Sequence, residues 1–146
     1  MTDYLLLIPI VIVAGLVTLS VISQRGTPPG VRQGRLVAGS PKPNAVSSEP
    51  VTPAPQQVKP LPGTRDDIRA AVAQTGGTIT QDSENYIAAT YSTPLMRFVD
   101  DVEFRRDGLV WQVRSASRVG HSDMGANRKR VGKLRSVLET KGGLAT

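Results

Sequence analysis

The chain of 146 residues contains no cysteine and a single histidine, His121. Without thiols there is no disulfide framework and no thiolate-held zinc or iron–sulfur centre, and the redox state of the compartment leaves no mark on the composition. With one imidazole, a histidine metal cluster has no second member, and a Ser-His-Asp triad would have to use His121 itself. Aromatic residues are scarce too: one Trp, three Tyr and two Phe. Stacking platforms for nucleic-acid bases need exposed rings interleaved with cations, so neither a nucleic-acid partner nor a cofactor is expected.

Acidic residues are rare toward the C-terminal end. From Arg114 to Lys141 eight basic residues stand against Asp123 and Glu139, a surplus of six that equals the net charge of +6 of the whole chain. Such a basic face suits anionic lipid, nucleic acid or an acidic protein surface, and it is also what a solvated helix face looks like.

What the N-terminal region has in abundance is apolar length. Residues 4–22 form an unbroken apolar or weakly polar run of nineteen, which at about 1.5 Å per residue just crosses a hydrocarbon core of about 30 Å. No Lys or Arg precedes the run, as a cleaved signal peptide would require, so an uncleaved membrane anchor is expected. Pro9 falls in the first turns, where a missing backbone donor costs least. Arg25, Arg32 and Arg35 follow the run whereas Asp3 precedes it, and the positive-inside tendency then puts the domain in the cytoplasm, with the periplasmic or lumenal side as the alternative. Nine of the eleven prolines fall between Pro28 and Pro62, a composition that favours an extended linker over a core.

Beyond Pro62 the periodicity predicts an α+β fold: a four-stranded antiparallel sheet with two helices packed on one face. The first helix is expected over residues 65–74, with Thr64 as N-cap, Asp66 and Asp67 in the first turn, and Ile68, Ala71 and Val72 buried. Strands are expected at 78–81, 86–91, 97–105 and 109–117. Taking Asp107-Gly108 as the centre of a type I′ hairpin sets Phe104 against Trp111, Val102 against Val113 and Asp100 against Ser115 on the core face. The opposite face then pairs Glu103 with Gln112 and Asp101 with Arg114. The last helix is expected from an N-cap at Ser122 to about residue 140, burying Met124, Val131, Leu134 and Leu138, and stopping at Gly142-Gly143.

The segments Phe98-Val99-Asp100-Asp101-Val102-Glu103-Phe104, Val113-Arg114-Ser115-Ala116-Ser117-Arg118-Val119-Gly120, Ser122-Asp123, Gly125 and Asn127-Arg128-Lys129-Arg130 resemble the signature of the domain of unknown function 1499 family. Pro43-Asn44-Ala45-Val46-Ser47-Ser48 resembles its opening motif, and the resemblance spans about residues 40–139. Ala45 stands where members commonly carry cysteine, so a thiol role there is absent. The resemblance implies a small bacterial or plastid protein, often with a lipoprotein-like or membrane-anchoring start, and brings no established activity with it. The resulting organisation is an anchor at 1–25, a Pro-rich linker with the opening motif at 26–62, the α+β domain at 63–141 and a tail at 142–146.

Asp100, Asp101 and Glu103 resemble a divalent-cation set, but neighbours on a strand point to opposite faces and cannot easily share one ion, so no metal site is assigned. Two readings remain for the polar residues around the last hairpin. In one, Asp100, Asp101, Glu103 and Ser115 form a structural network, with Arg118 or Arg128 as a counter-charge. In the other, Arg114, Ser117, Arg118, Ser122, Asn127, Arg128 and Arg130 surround a small anion at the N-terminus of the last helix. His121, alone in a turn, reads as an exposed side chain rather than a general base, and no catalytic residue is assigned. The expectation is a non-catalytic, membrane-tethered protein-interaction or assembly module attached to a larger membrane complex, a small-anion or small-ligand binding domain at the N-terminus of the last helix being the alternative.

Overall fold

Thr64 and Asp67 set the start of the folded domain by capping each other. In the computed structural model, which describes residues 3–38 and 42–143, the Thr64 hydroxyl accepts the Asp67 N–H and the Asp67 carboxylate accepts the Thr64 N–H at 2.9 Å. These bonds hold the Asp67 carboxyl below its ordinary value. Helix α2 runs from this box over Arg65–Gln74 and buries Ile68, Ala71 and Val72, as the sequence predicts. Gly76, at a positive φ of 88°, releases the chain into the sheet.

The N-terminal helix α1 spans Asp3–Gln24, with Pro9 inside it. From Leu7 to Ile22 its large apolar side chains face outward, and among the described residues it is the one helix long and apolar enough to cross a membrane. A two-stranded hairpin follows, β1 (Val31–Arg32) and β2 (Arg35–Leu36). Its turn residues Gln33 and Gly34 both have positive φ, the requirement of a type I′ turn.

The main sheet is antiparallel and has five strands, not four: β3 (Ala45–Ser47), β4 (Thr78–Asp82), β5 (Tyr86–Ser92), β6 (Val99–Asp107) and β7 (Val110–Ser117), in the order β3-β7-β6-β5-β4. The extra strand comes from the opening motif within the Pro-rich stretch, and Val46 pairs with Ser115 on the free edge of β7. Three residues with no room for alternation carry no strand signal of their own, which is why periodicity misses them.

Helix α2 and the last helix, α3 (Ala126–Gly143), pack together on one face of this sheet. Val46, Ile87, Ala89, Val102, Phe104, Trp111 and Val113 meet Ile68, Val72, Val131, Leu134 and Leu138 there. Fully burying one such large side chain contributes about 1.5–3 kcal/mol. Trp111 satisfies its indole N–H on the Gly63 carbonyl at 3.2 Å.

Two expectations about this region fail. The hairpin turns at Gly108-Leu109, one residue later than Asp107-Gly108, with positive φ at Gly108 only, as a type II′ turn needs. Phe104 therefore faces Val113, Val102 faces Ser115, Arg106 faces Trp111 and Asp100 faces Ser117. Each partner moves by two residues, so the faces are as expected while the pairs are not. Helix α3 begins at Ala126 rather than Asp123, continues through Gly142 to Gly143, and leaves Met124 93% exposed before it. Met124 and Gly125 both take positive φ there, which a helix cannot continue through. Of the tail expected at 142–146, residues 144–146 lie outside the described residues.

Candidate functional site

The second face of the sheet is polar, buried and covered by the chain that leaves α1. On it stand Asp101, Glu103, Arg105, Gln112 and Arg114, and β2 packs over β6 and β7 from the other side, burying Leu36. Three carboxylates meet three guanidiniums in this layer. Glu103, fully buried, is paired with Arg114 at 2.9 Å and accepts the Gly30 N–H at 2.7 Å and the Tyr86 hydroxyl at 2.8 Å. Burial first, and then this hydrogen bond to a carboxylate, push the Tyr86 hydroxyl well above its ordinary pKa. Glu49 is gripped by Arg105 through both oxygens, at 2.9 and 3.1 Å, and accepts the Leu36 N–H at 3.0 Å. Asp101 is gripped by Arg118 at 2.8 and 2.6 Å.

Arg118 also reaches the end of α1. Its third nitrogen donates to the Ser23 carbonyl at 3.0 Å, one of the acceptors that a helix C-terminus leaves open. Ser23 sits at hydrogen-bond distance from both backbone polar groups of Val99, and the Ser20 hydroxyl donates to the Met96 carbonyl. Gly26 passes so close to Arg118 that a Cβ would stand 2.8 Å from its Cδ. Among the described residues the Arg114 Nε–H has no partner, an omission that typically costs about 1–3 kcal/mol.

On the helix-facing side a second polar cluster joins β6 and β7 to α3. Arg130 donates to Asp100 at 2.6 Å, to Asn127 Oδ1 at 2.6 Å and to the Ser115 hydroxyl at 3.1 Å, and its guanidinium lies 4.8 Å from the centre of the Tyr91 ring. The Asn127 amide donates to the Asn44 carbonyl, the Ser117 hydroxyl and the Asp123 carboxylate at 2.9, 3.0 and 2.6 Å. Asp123 further accepts the N–H groups of Gly125 and Asn127, each at 2.9 Å. Burial pushes its carboxyl up, but these backbone and side-chain donors outweigh burial and hold it below the ordinary value.

The structure thus divides the residues expected around one anion. Arg114 and Arg118 belong to the layer under the segment that follows α1; Ser117, Asn127 and Arg130 belong to the cluster at the start of α3. Ser122 is exposed and accepts the Met124 N–H at 3.3 Å. Arg128 points elsewhere, donating to the Gln57 and Pro55 carbonyls at 3.1 and 2.7 Å. The free N–H groups opening α3 already hold a negative group, the Asp123 carboxylate. Counter-charges differ from expectation as well: Asp100 has Arg130, Asp101 has Arg118, and Arg114 pairs with Glu103. Sequence reasoning misses Glu49, Arg105, Asn44, Ser20 and Ser23, because each finds its main partner far along the chain.

The outer face of α3 differs from both clusters. Arg128 and Arg135 fasten the 55–60 segment by its carbonyls, Arg135 at 3.0 Å to Pro60 and 2.6 Å to Lys59, and border a groove of about 620 Å³ floored by Val58 and Val131. Lys129 and Lys133 are exposed. Among the described residues, none of these four cations is within salt-bridge distance of a carboxylate. His121 is exposed in its turn, and among the described residues no three His, Asp or Glu side chains converge as metal ligands would.

A protein family described as "protein of unknown function (DUF1499)" matches residues 35–138, well over half of the 146 residues and including every strand of the main sheet. No curated protein matches the chain.

Proposed function

We propose that this chain, which belongs to the family described as protein of unknown function (DUF1499), is a non-catalytic docking module tethered to a membrane by α1. It presents the basic outer face of α3 to an acidic protein surface. One observation carries the reading: the buried charges are paired internally, whereas on α3 Lys129 and Lys133 are exposed, Arg128 and Arg135 bond only backbone carbonyls, and none of the four has a carboxylate opposite among the described residues.

A catalytic group needs a poised, accessible side chain, but Asp100, Asp101, Glu103 and Glu49 are each buried against a guanidinium. Buried pairs of this kind add little net stability over apolar residues and instead fix how elements are aligned. Here they align the segment after α1 with the sheet, which suits a domain held at a set attitude to a membrane. The polar sheet face, the other surface a partner could use, lies under that segment, which leaves α3. An outward cationic face speeds encounter with an acidic partner and selects against basic ones. By the flanking arginines the domain lies on the cytoplasmic side.

The test compares wild type with Lys129→Glu/Lys133→Glu after gentle detergent extraction from native membranes, size separation and mass spectrometry. A stoichiometric partner that the double reversal releases, at unchanged melting temperature, supports docking. Wild type migrating as one chain plus micelle counts against it.

A further inference from the structure

The loop joining β5 to β6 lies against the last turns of α1. Met96 receives the Ser20 hydroxyl through its carbonyl, and three residues later Val99 is bound to Ser23. Beside these contacts Leu19 closes a cavity of about 260 Å³ whose apolar walls are Phe98 and Val119, with Asp123 and Ala126 at its other side. The apolar run of α1 ends at Ile22, so Ser20 lies two residues inside it, about 3 Å below its end at the rise of an α-helix. Whatever bonds to Ser20 from the side shares that depth.

Leu95, next to Met96, is 89% exposed. An exposed leucine alone says little, but this one stands level with the end of a hydrocarbon-length helix. Arg97, two residues on, is exposed, and so is Arg25 just after the end of α1, the arrangement in which cations meet headgroups above an apolar contact. Met124, 93% exposed, lies one residue from Asp123 of the same cavity. The opposite end of the sheet provides a contrast. Strand β6 leaves Val99 and runs nine residues, about 26 Å away at the usual strand rise of about 3.3 Å, to a tip where Leu109 is 92% exposed.

We infer that residues 93–98 form a second membrane contact: with α1 spanning a bilayer, Leu95 enters the hydrocarbon boundary beside it, and the Gly108-Leu109 tip stands off in water. The contact rests on the proposed tethering by α1 and adds the attitude of the domain, its strands running away from the membrane from the Val99 end.

The absence of native cysteine permits single-site labelling. Full-length Val13→Cys, Leu95→Cys and Leu109→Cys, all at exposed positions that tolerate exchange, are labelled with an environment-sensitive fluorophore. They are then reconstituted into phosphatidylcholine vesicles with and without brominated acyl chains. The inference expects loss of fluorescence at 13 and at 95, with a blue-shifted emission at 95, and no loss at 109. Quenching at 13 with an aqueous, unquenched signal at 95 overturns the loop contact and leaves the tether standing. An unquenched probe at 13 overturns the tether and the contact together.

Discussion

Ser23, in the last turn of α1, and Val99, the first residue of β6, are bound to each other across 76 residues of sequence: the Val99 N–H donates to the Ser23 hydroxyl at 2.7 Å, and the hydroxyl lies 3.4 Å from the Val99 carbonyl. Helix and sheet are therefore fastened at one point, and Arg118 fastens them again a few ångströms away. The segment between them is a lid over the sheet rather than a slack tether, and this has measurable consequences.

Arg118→Ala removes the counter-charge of a carboxylate that is 4% exposed and frees the Ser23 carbonyl. Stranding one partner of a buried pair costs about 3–5 kcal/mol. Thermal unfolding in detergent should show a loss of that order, whereas Ser122→Ala, at an exposed position, should stay within about 0.5 kcal/mol of wild type.

Glu103→Gln leaves Arg114 buried without its charge partner and should destabilise strongly. The double replacement Glu103→Leu/Arg114→Met removes both charges and should recover most of that loss, since apolar residues of similar volume substitute well for a buried pair. What it does not restore is the acceptor for the Gly30 N–H. Hydrogen exchange at Gly30 should therefore be faster in the double variant than in wild type even where the melting temperatures agree.

Asp123 supplies the acid response of the start of α3. Its carboxyl is held below the ordinary value of 3.8, so its contribution is fully present above about pH 4 and is lost as pH falls through the lowered folded value. Asp67 and Asp107 are lowered as well and act in the same direction. Wild type should lose stability on acidification below about pH 4. Asp123→Ala should lose about 0.5–2 kcal/mol at neutral pH, the usual cost of a missing helix cap, and show a correspondingly smaller acid drop in pH-dependent melting.

Arg130 and Lys129 are adjacent yet should respond oppositely to charge reversal. Arg130→Glu puts a carboxylate against Asp100 in a half-buried cluster and should abolish folding, read as loss of the cooperative transition. Lys129→Glu, on the exposed face, should leave stability within about 0.5 kcal/mol.

The legible parts of this fold are those governed by local rules. Thr64 and Asp67 sit three apart ahead of Ile68, Ala71 and Val72, and the start of α2 follows from that spacing as its end follows from Gly76. The faces of β6 and β7 are legible because side chains alternate, and an error of two residues in the partner leaves every face unchanged. The partners are not legible: Asp107-Gly108 carries the commoner turn signal, but the turn forms at Gly108-Leu109, and so Asp101 meets Arg118 while Glu103 meets Arg114. Least legible is the lid. Glu103 and Glu49 give no sign of their cover in the sequence, because the segment around Gly30 and Leu36 binds them through backbone N–H groups that leave no pattern in side-chain identity.

Docking of the outer face of α3 on a protein partner is tested most directly by proximity. A photoactivatable crosslinker at Lys129, with the same group at Leu109 for comparison, addresses it in native membranes. Docking through α3 should give one discrete adduct from position 129, lost when Lys133→Glu is added, and none from position 109. No adduct from position 129, or the same adducts from both positions, would contradict it.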